Sequence, residues 1–381
     1  MPAAAAARVD PVVFGAGLCL AALGAVMVGS ASIALADRDT GEPLYFLIRH
    51  LGALGVGAAC ALVAACVPTD LWHRLSALWL IAGFGLLVLV LVPGVGQTVN
   101  GSTRWLEIGP LRMQASEPAR LCLALYLASY AVRHHAELTA SFRGFFRPML
   151  VVGGACALLL AEPDYGAAVV LTATSLGMLF IAGARLRDFT LAAAAAAAAL
   201  GVLAISSAYR VERLTTFLDP WGDPFASGFQ LTNSLIAIGR GDWLGVGLGE
   251  SVQKLFYLPE AHTDFAFAVV AEELGFAGST LVIVLFAAIV YRAITLGQRA
   301  LAAGLQFQGL LSTGIGAMLG LEACINIGVN TGLLPTKGLT LPLISYGRSS
   351  TVVTLAALGI LLRIHSEVRA AEERPRRRSR A

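Results

Sequence analysis

Ten long apolar stretches constrain this 381-residue chain more than any other feature of its sequence. A helix that crosses a lipid bilayer needs about 20 largely apolar residues. Hydrophobic residues make up 57% of the chain and charged residues only 13%, against about 25% charged residues in soluble domains. The sequence therefore predicts an all-α polytopic membrane protein and excludes a disordered chain. The predicted spans are 12–36, 47–67, 75–93, 115–132, 149–162, 165–184, 189–207, 265–291, 305–330 and 344–362.

The spans predict a single integral membrane domain over residues 1–381, with tails at 1–11 and 367–381 around a spanning region of about 12–366. The largest loop, about 208–264, joins spans seven and eight. An even number of spans places both termini on one side, where most of the basic residues also lie. Because cytoplasmic loops carry the excess of Lys and Arg, we expect cytoplasmic termini and an extracytoplasmic large loop. The net charge of +3 is too small to indicate a nucleic-acid partner.

Span five is short in this prediction and ends at Glu162-Pro163-Asp164, just before span six begins. The two spans therefore predict a tight helical hairpin, whose polar tip is buried in protein or faces a cavity. In the large loop, Ser227 is placed to cap a short amphipathic helix, Phe229 to Ile238. The apolar face of this helix suits the membrane surface, and it equally suits packing on the bundle.

Asp264 is the most prominent charged residue near a span, because it directly precedes span eight. Charged residues at span ends are candidates for function, since membrane interiors tolerate charge poorly. Thr263 or Asp264 can also cap the helix that follows, and the alternative is that Asp264 is only that cap. His262 could carry a proton, although a His beside a helix start is more often structural. Glu272 and Glu273, about 12–13 Å further along the helix, are interpreted as structural.

Further polar residues fall on the same side of the membrane as Asp264. Lys337 is one of only two lysines in an Arg-rich chain. This favours a site that requires the compact ammonium group of lysine over the alternative that Lys337 is a snorkelling residue at the membrane interface. Cations beside a carboxylate suit a substrate with phosphate groups and a hydroxyl to be deprotonated. The sequence has no Walker A loop, GxSxG elbow, HExxH or Rossmann motif, so the leaving group must come from the substrate. The other candidates on this side are Arg104, Trp105, Glu117, Arg120, Glu162 and Asp164.

These polar segments resemble the FtsW/RodA family, the SEDS proteins of bacterial cell-wall synthesis, over about residues 12–366. Asn330–Tyr346 and Phe217–Trp221 are more similar to the division branch of the family, FtsW, than to the elongation branch, RodA. The segments that carry the resemblance are Gly101–Trp105, Ser116-Glu117, Glu162–Gly166, Asp223–Gln230, Leu258–Phe265 and Leu333–Gly338.

The resemblance implies a ten-span glycosyltransferase that polymerises the peptidoglycan precursor lipid II on the outer face of the bacterial cytoplasmic membrane, at the division septum. It implies a class B penicillin-binding transpeptidase and other divisome membrane proteins as partners. It places the family's essential aspartate at Asp264, its loop lysine at Lys337 and its arginine–tryptophan pair at Arg104-Trp105. The remaining candidates for substrate binding are Glu117, Arg120, Glu162, Asp164, Gln230, His262 and Ser349.

Two positions depart from the family pattern. Arg120 stands where the family has Lys, which keeps the charge and changes the geometry. Arg348 stands where the family has Gly, a residue that adopts positive φ at no steric cost, so a changed backbone is an open alternative there.

The implied reaction is a single inverting displacement, in which an acceptor sugar hydroxyl attacks the donor's anomeric carbon and the lipid diphosphate leaves. Asp264 would act as the general base. Lys337, Arg104 and Arg120 would stabilise the leaving group, and a divalent Mg or Mn ion could assist. Two alternatives are a lipid II flippase, although transporter sites usually lie at the membrane midplane, and a non-enzymatic scaffold that recruits the transpeptidase.

Overall fold

Ten helices in the computed structural model correspond one to one to the ten predicted spans, which confirms the all-α polytopic architecture. The structure describes residues 9–99, 102–108, 111–206, 208–336 and 338–378. Within these residues, seven of the ten helices are long and apolar enough to cross a membrane. Ser76–Leu91 and Tyr165–Ile181 are apolar but shorter, and Ser116–Arg133 contains Glu117 and Arg120.

The helices and strands, in chain order, are α1 (Pro11–Thr40), α2 (Tyr45–Cys66), α3 (Thr69–Arg74), α4 (Ser76–Leu91), β1 (Gly96–Val99), β2 (Ser102–Ile108), β3 (Leu111–Gln114), α5 (Ser116–Arg133), α6 (His135–Ala140), α7 (Phe142–Ala161), α8 (Tyr165–Ile181), α9 (Leu186–Ile205), α10 (Ala208–Leu218), α11 (Phe229–Gly241), α12 (Ala266–Ala302), α13 (Gln306–Asn330) and α14 (Arg348–Arg378).

Three helices extend well beyond their predicted bounds. Helix α12 continues to Ala302, past the predicted end of span eight at residue 291. Helix α7 begins at Phe142, so the predicted short fifth span is wrong. Its first two turns contain Arg143 and Arg147. Because these charges lower the local hydropathy, the start of the helix was predicted too late in the sequence. Helix α14 runs to Arg378, so most of the segment predicted as a tail continues the last helix.

A three-stranded antiparallel sheet, in the order β1-β2-β3, joins α4 to α5 and was not predicted from the sequence. Trp105 pairs with Gln97 on one side and Gln114 on the other. Leu106 in the same strand is only 1% exposed, so the sheet packs closely against the bundle. The sheet positions Arg104 at one end of the bundle, where the site described below is found.

Helix α12 is interrupted at Gly275, which has φ 67° and ψ −162°. The preceding loop enters this interruption, because Phe276 N donates to Asp242 O at 2.8 Å and Val246 N donates to Glu272 O at 3.0 Å. A Cβ on Gly275 would lie 2.3 Å from Gly245 N. Only glycine therefore allows the loop backbone to approach the helix so closely.

Glu272 and Glu273 hold this loop against α12. The Glu272 carboxylate accepts hydrogen bonds from Ser251 Oγ and Val252 N. The Glu273 carboxylate accepts from Lys254 Nζ at 2.7 Å and from Ser30 Oγ at 2.6 Å. These contacts agree with the structural interpretation of both glutamates.

Candidate functional site

Asp264 lies just before α12, and its side chain does not cap that helix. The N-cap residue of α12 is Phe265, whose own side chain makes no cap hydrogen bond. Thr263 Oγ1 instead donates to a Glu260 carboxylate oxygen at 2.6 Å. The alternative that Asp264 is only a helix cap is therefore wrong, and the Asp264 carboxylate needs another explanation.

Arg104 and Asp264 meet beside Gly338. A Cβ built on Gly338 would lie 3.2 Å from Asp264 Oδ2 and 4.0 Å from Arg104 Nη1. Arg104 Nη2 donates to Pro163 O and to Ser102 Oγ, each at 2.9 Å, so the α7–α8 turn and β2 fix the guanidinium. Lys337, the residue before Gly338, lies outside the described residues.

A pair of buried asparagines on α13 holds the backbone around Asp264. Asn326 Nδ2 and Asn330 Nδ2 donate to Asp264 O at 2.9 and 3.0 Å. Asn326 Nδ2 also donates to Leu339 O at 2.6 Å, and Asn330 Oδ1 accepts from Ala268 N at 3.1 Å. The sequence analysis did not identify this pair. Two side-chain amides one turn apart in an apolar helix were a usable signal, because burying an amide costs free energy unless it makes hydrogen bonds.

Replacing Asn330 with Leu should destabilise the protein and slow catalysis. The Ala268 N–H loses one of its two acceptors and keeps only Phe265 O. The Asp264 carbonyl loses one of its two amide donors. We expect the free energy of unfolding in detergent to fall by about 1–3 kcal/mol and kcat to fall with it. Thr331→Val is the matched control, since the Thr331 hydroxyl bonds only to its own helix. Equal stability and activity in both variants would contradict the assigned role of Asn330.

The turn between α7 and α8 is buried, as the sequence predicted. Glu162 is 0% exposed and Asp164 is 1% exposed. Asp164 Oδ1 accepts from Ala167 N at 3.1 Å, and Oδ2 accepts from Gln114 Nε2 at 2.9 Å and from Ser116 Oγ at 3.1 Å. Asp164 therefore caps α8 and ties this turn to the sheet and to α5.

Glu162 has no hydrogen-bond partner for either carboxyl oxygen among the described residues. Burial and the neighbouring Asp164 charge raise the pKa of Glu162 to about 8, although the Arg104 charge opposes them. Glu162 is therefore largely protonated at neutral pH. As a neutral acid it can donate a hydrogen bond as well as accept one.

Burial also raises the pKa of Asp264 to about 7, with a further contribution from the negative charge of Glu260. The positive charges of Arg104 and Arg213 lower this pKa, and the Asp164 charge raises it slightly. A carboxylate whose pKa lies near neutral pH is suited to take a proton in a reaction and to release it afterwards.

Arg120 lies inside the bundle between two carboxylates. Its guanidinium pairs with Glu117 Oε1 at 2.6 Å and with Glu322 Oε1 at 2.7 Å, and the side chain is 3% exposed. The triad joins α5 to α13 and satisfies charges that the membrane interior would otherwise disfavour. Substrate binding by Glu117 or Arg120 stays a prediction.

His262 lies in an aromatic cluster with Phe46 and Tyr346, with ring centroids 4.9 and 5.7 Å away. Its backbone carbonyl accepts from Tyr346 N at 2.8 Å. Burial lowers the pKa of His262, so the ring is neutral at neutral pH. These contacts favour the structural interpretation of His262.

The other predicted residues border the same end of the bundle. Trp105 packs against Arg112, whose Cζ is 5.1 Å from a Trp105 ring centroid. Ser349 Oγ accepts from Gln114 N at 3.2 Å, which ties α14 to the sheet. Arg348 begins α14 and is not among the residues with positive φ, so the helix accommodates this departure from the family pattern.

Helix α11 forms as predicted, but Ser227 is not its cap. The N-cap residue is Gly228, and Ser227 Oγ donates to Asp223 Oδ2 at 3.1 Å. Leu231 and Ala237 are buried, and Ser234 Oγ donates to Asn330 O at 2.8 Å. The helix therefore packs on the bundle, which favours the second of the two predicted alternatives.

The described residues offer no group of three or more His, Cys, Asp or Glu side chains that could hold a metal ion. The described ranges therefore hold no cage of three or more such side chains for a divalent ion.

Comparison with known proteins finds the same family along almost the whole chain. The family of FtsW, RodA and SpoVE, described as "Cell cycle protein", matches residues 11–370. The "Probable peptidoglycan glycosyltransferase FtsW" of Thioalkalivibrio sulfidiphilus is 57% identical over 92% of this chain and 88% of its own length. The protein of the same name from Nitrosococcus halophilus is 53% identical over 94% of this chain and 93% of its own length.

Solved structures agree with this relationship. A chain from "Structural coordination of polymerization and crosslinking by a peptidoglycan synthase complex" superposes with a TM-score of 0.77 and 31% identity, covering 94% of this chain and 98% of that one. The rod shape determining protein RodA of Thermus thermophilus superposes with a TM-score of 0.68 and 29% identity, covering 94% of this chain and 96% of its own.

Proposed function

Because this chain belongs to the FtsW/RodA/SpoVE family of cell cycle proteins, we propose that it is a peptidoglycan glycosyltransferase that polymerises lipid II during cell division. The observation that carries the proposed site is the Asp264 carboxylate, which has a near-neutral pKa and lies beside the Arg104 guanidinium at one end of a membrane bundle. The relatives named as glycosyltransferases support the reaction class.

In the proposed reaction, Asp264 removes the proton from an acceptor sugar hydroxyl while the oxygen bonds to the donor's anomeric carbon. The bond from that carbon to the phosphate oxygen breaks, and the lipid diphosphate leaves with the electron pair. A positioned general base contributes about 10²–10⁴-fold to such a step. Arg104 is placed to stabilise negative charge as it develops.

The proposed setting is the bacterial cytoplasmic membrane, with both termini in the cytoplasm and the Asp264 site outside, at the division septum. The distribution of basic residues supports this orientation. A class B penicillin-binding transpeptidase is the proposed partner, alongside other divisome membrane proteins. The solved relative described as part of a peptidoglycan synthase complex supports an assembly of this kind.

Polymerisation should depend on pH, because only the deprotonated Asp264 can accept a proton. With the pKa of Asp264 raised to about 7, activity should rise with pH through about 7 and then level. Glu260→Gln removes a negative charge that raises this pKa, so its profile should be displaced to lower pH. The measurement is kcat/KM for labelled lipid II against pH, and identical profiles for the two proteins would contradict the base assignment.

A further inference from the structure

A cavity of ≈ 340 Å³ lies between α10, α11 and the segments that contain Pro259 and Thr336. Its polar lining includes Glu212, Arg213, Thr216 and Gln230, and Phe217 and Phe229 are among its apolar lining residues. Of these residues, only Gln230 was a candidate from the sequence.

The cavity adjoins the Asp264 site through two connections. Arg213 Nη1 donates to Thr336 O at 3.1 Å, and Thr336 is two residues before the Gly338 that borders the Asp264 carboxylate. The Arg213 charge also acts on Asp264, where it lowers the pKa of the carboxyl group. Arg213 therefore links the wall of the cavity to the segment and the charge of the proposed base.

The charges of the lining favour a neutral ligand over a diphosphate. Glu212 and Arg213 contribute one charge of each sign, and a carboxylate in the wall would repel a polyanion. Thr216 and Gln230 add a hydroxyl and an amide, which match sugar hydroxyl and N-acetyl groups. The two phenylalanine rings offer apolar faces for the C–H surface of a sugar ring.

The size of the cavity also limits its ligand. Its volume is near the lower end of the range of about 300–1,000 Å³ for small-molecule pockets, which suits one or two sugar rings without a lipid tail. We propose that this cavity is the subsite for the N-acetylated sugar of the acceptor, and that it directs the acceptor hydroxyl to Asp264. This inference rests on the proposed glycosyltransferase function.

Two consecutive threonines on α10 provide a matched test. Thr216 lines the cavity, whereas Thr215 is exposed and, among the described residues, its hydroxyl bonds only within its own helix. Thr216→Trp should fill the cavity and raise KM for lipid II by about tenfold or more, equivalent to roughly 1.4 kcal/mol of lost binding. Thr215→Trp should leave KM and kcat within about twofold, as surface substitutions usually do.

Binding is measured separately from turnover, so that the subsite and the proposed function can fail independently. The probe is a lipid-free, diphosphate-free disaccharide of N-acetylglucosamine and N-acetylmuramic acid, observed by saturation-transfer NMR on the detergent-purified protein. Wild type and Thr215→Trp should bind it, and Thr216→Trp should not. Gln230→Ala, which removes an amide without filling the cavity, should weaken binding even if the tryptophan variant proves unstable.

Three results would overturn the subsite: no binding by wild type, equal binding by both tryptophan variants, or displacement of the disaccharide by inorganic diphosphate. Selective loss of binding in Thr216→Trp would support the subsite even if wild type made no glycan. That combination would contradict the proposed function alone.

Discussion

Asp264→Asn should abolish measurable glycan polymerisation while the protein stays folded in the membrane. The amide has nearly the same shape as the carboxyl group but cannot take the proton from the acceptor hydroxyl, which should cost about 10²–10⁴-fold in rate. The bonds from Asn326 and Asn330 reach the backbone carbonyl of Asp264, so the substitution leaves them intact. Activity is measured with labelled lipid II, and folding by size-exclusion chromatography and thermal unfolding in detergent.

Glu260→Gln is the matched control for this variant. It makes the same carboxylate-to-amide change four residues earlier, at a side chain that bonds to Thr263. It should remain active, with only its pH profile displaced. Wild-type activity in Asp264→Asn would contradict the general-base assignment.

Arg120→Met should lower the free energy of unfolding by about 3–5 kcal/mol, the cost of breaking a buried ion pair from one side. The change leaves Glu117 and Glu322 buried without their cation. Chemical or thermal unfolding in detergent measures the loss. Adding Glu117→Gln and Glu322→Gln to the same chain should recover most of the stability, because no uncompensated charge then remains.

The exposed pair between Arg147 and Glu137 provides the comparison. Arg147→Met should cost less than about 1 kcal/mol, as is typical of surface ion pairs. If Arg120→Met were as stable as the wild type but had a raised KM for lipid II, the guanidinium would be a substrate ligand rather than a structural cation.

Hydropathy predicted the ten spans because each helix must present an apolar surface to the membrane. The α7–α8 turn could also be predicted, since Glu162-Pro163-Asp164 interrupts two apolar runs by only three residues. Asp264 was identified for a related reason, as a charge at the start of a span. The predicted helix bounds were wrong where charged residues lie inside a helix, because they lower the local hydropathy. Arg143 in the first turn of α7 is an example.

Contacts between distant parts of the chain could not be read from local pattern. The interruption of α12 at Gly275 depends on backbone from the 242–247 loop, and the pattern around Gly275 is that of a continuous helix. Arg120 meets Glu322 across some two hundred residues of sequence. The role of the asparagine pair on α13 depends on hydrogen bonds to Asp264 O and Leu339 O, which are distant in sequence.

The role of Asp264 is tested most directly by polymerisation of labelled lipid II. The purified full-length chain with its transpeptidase partner is compared with the same complex carrying Asp264→Asn. Electrophoresis of the products separates glycan strands by length. We expect a ladder of strands from the wild-type complex and none from the variant. A ladder of equal intensity from both would contradict the role of Asp264. No ladder from a folded wild-type complex would contradict the glycosyltransferase itself and favour movement of lipid II between leaflets.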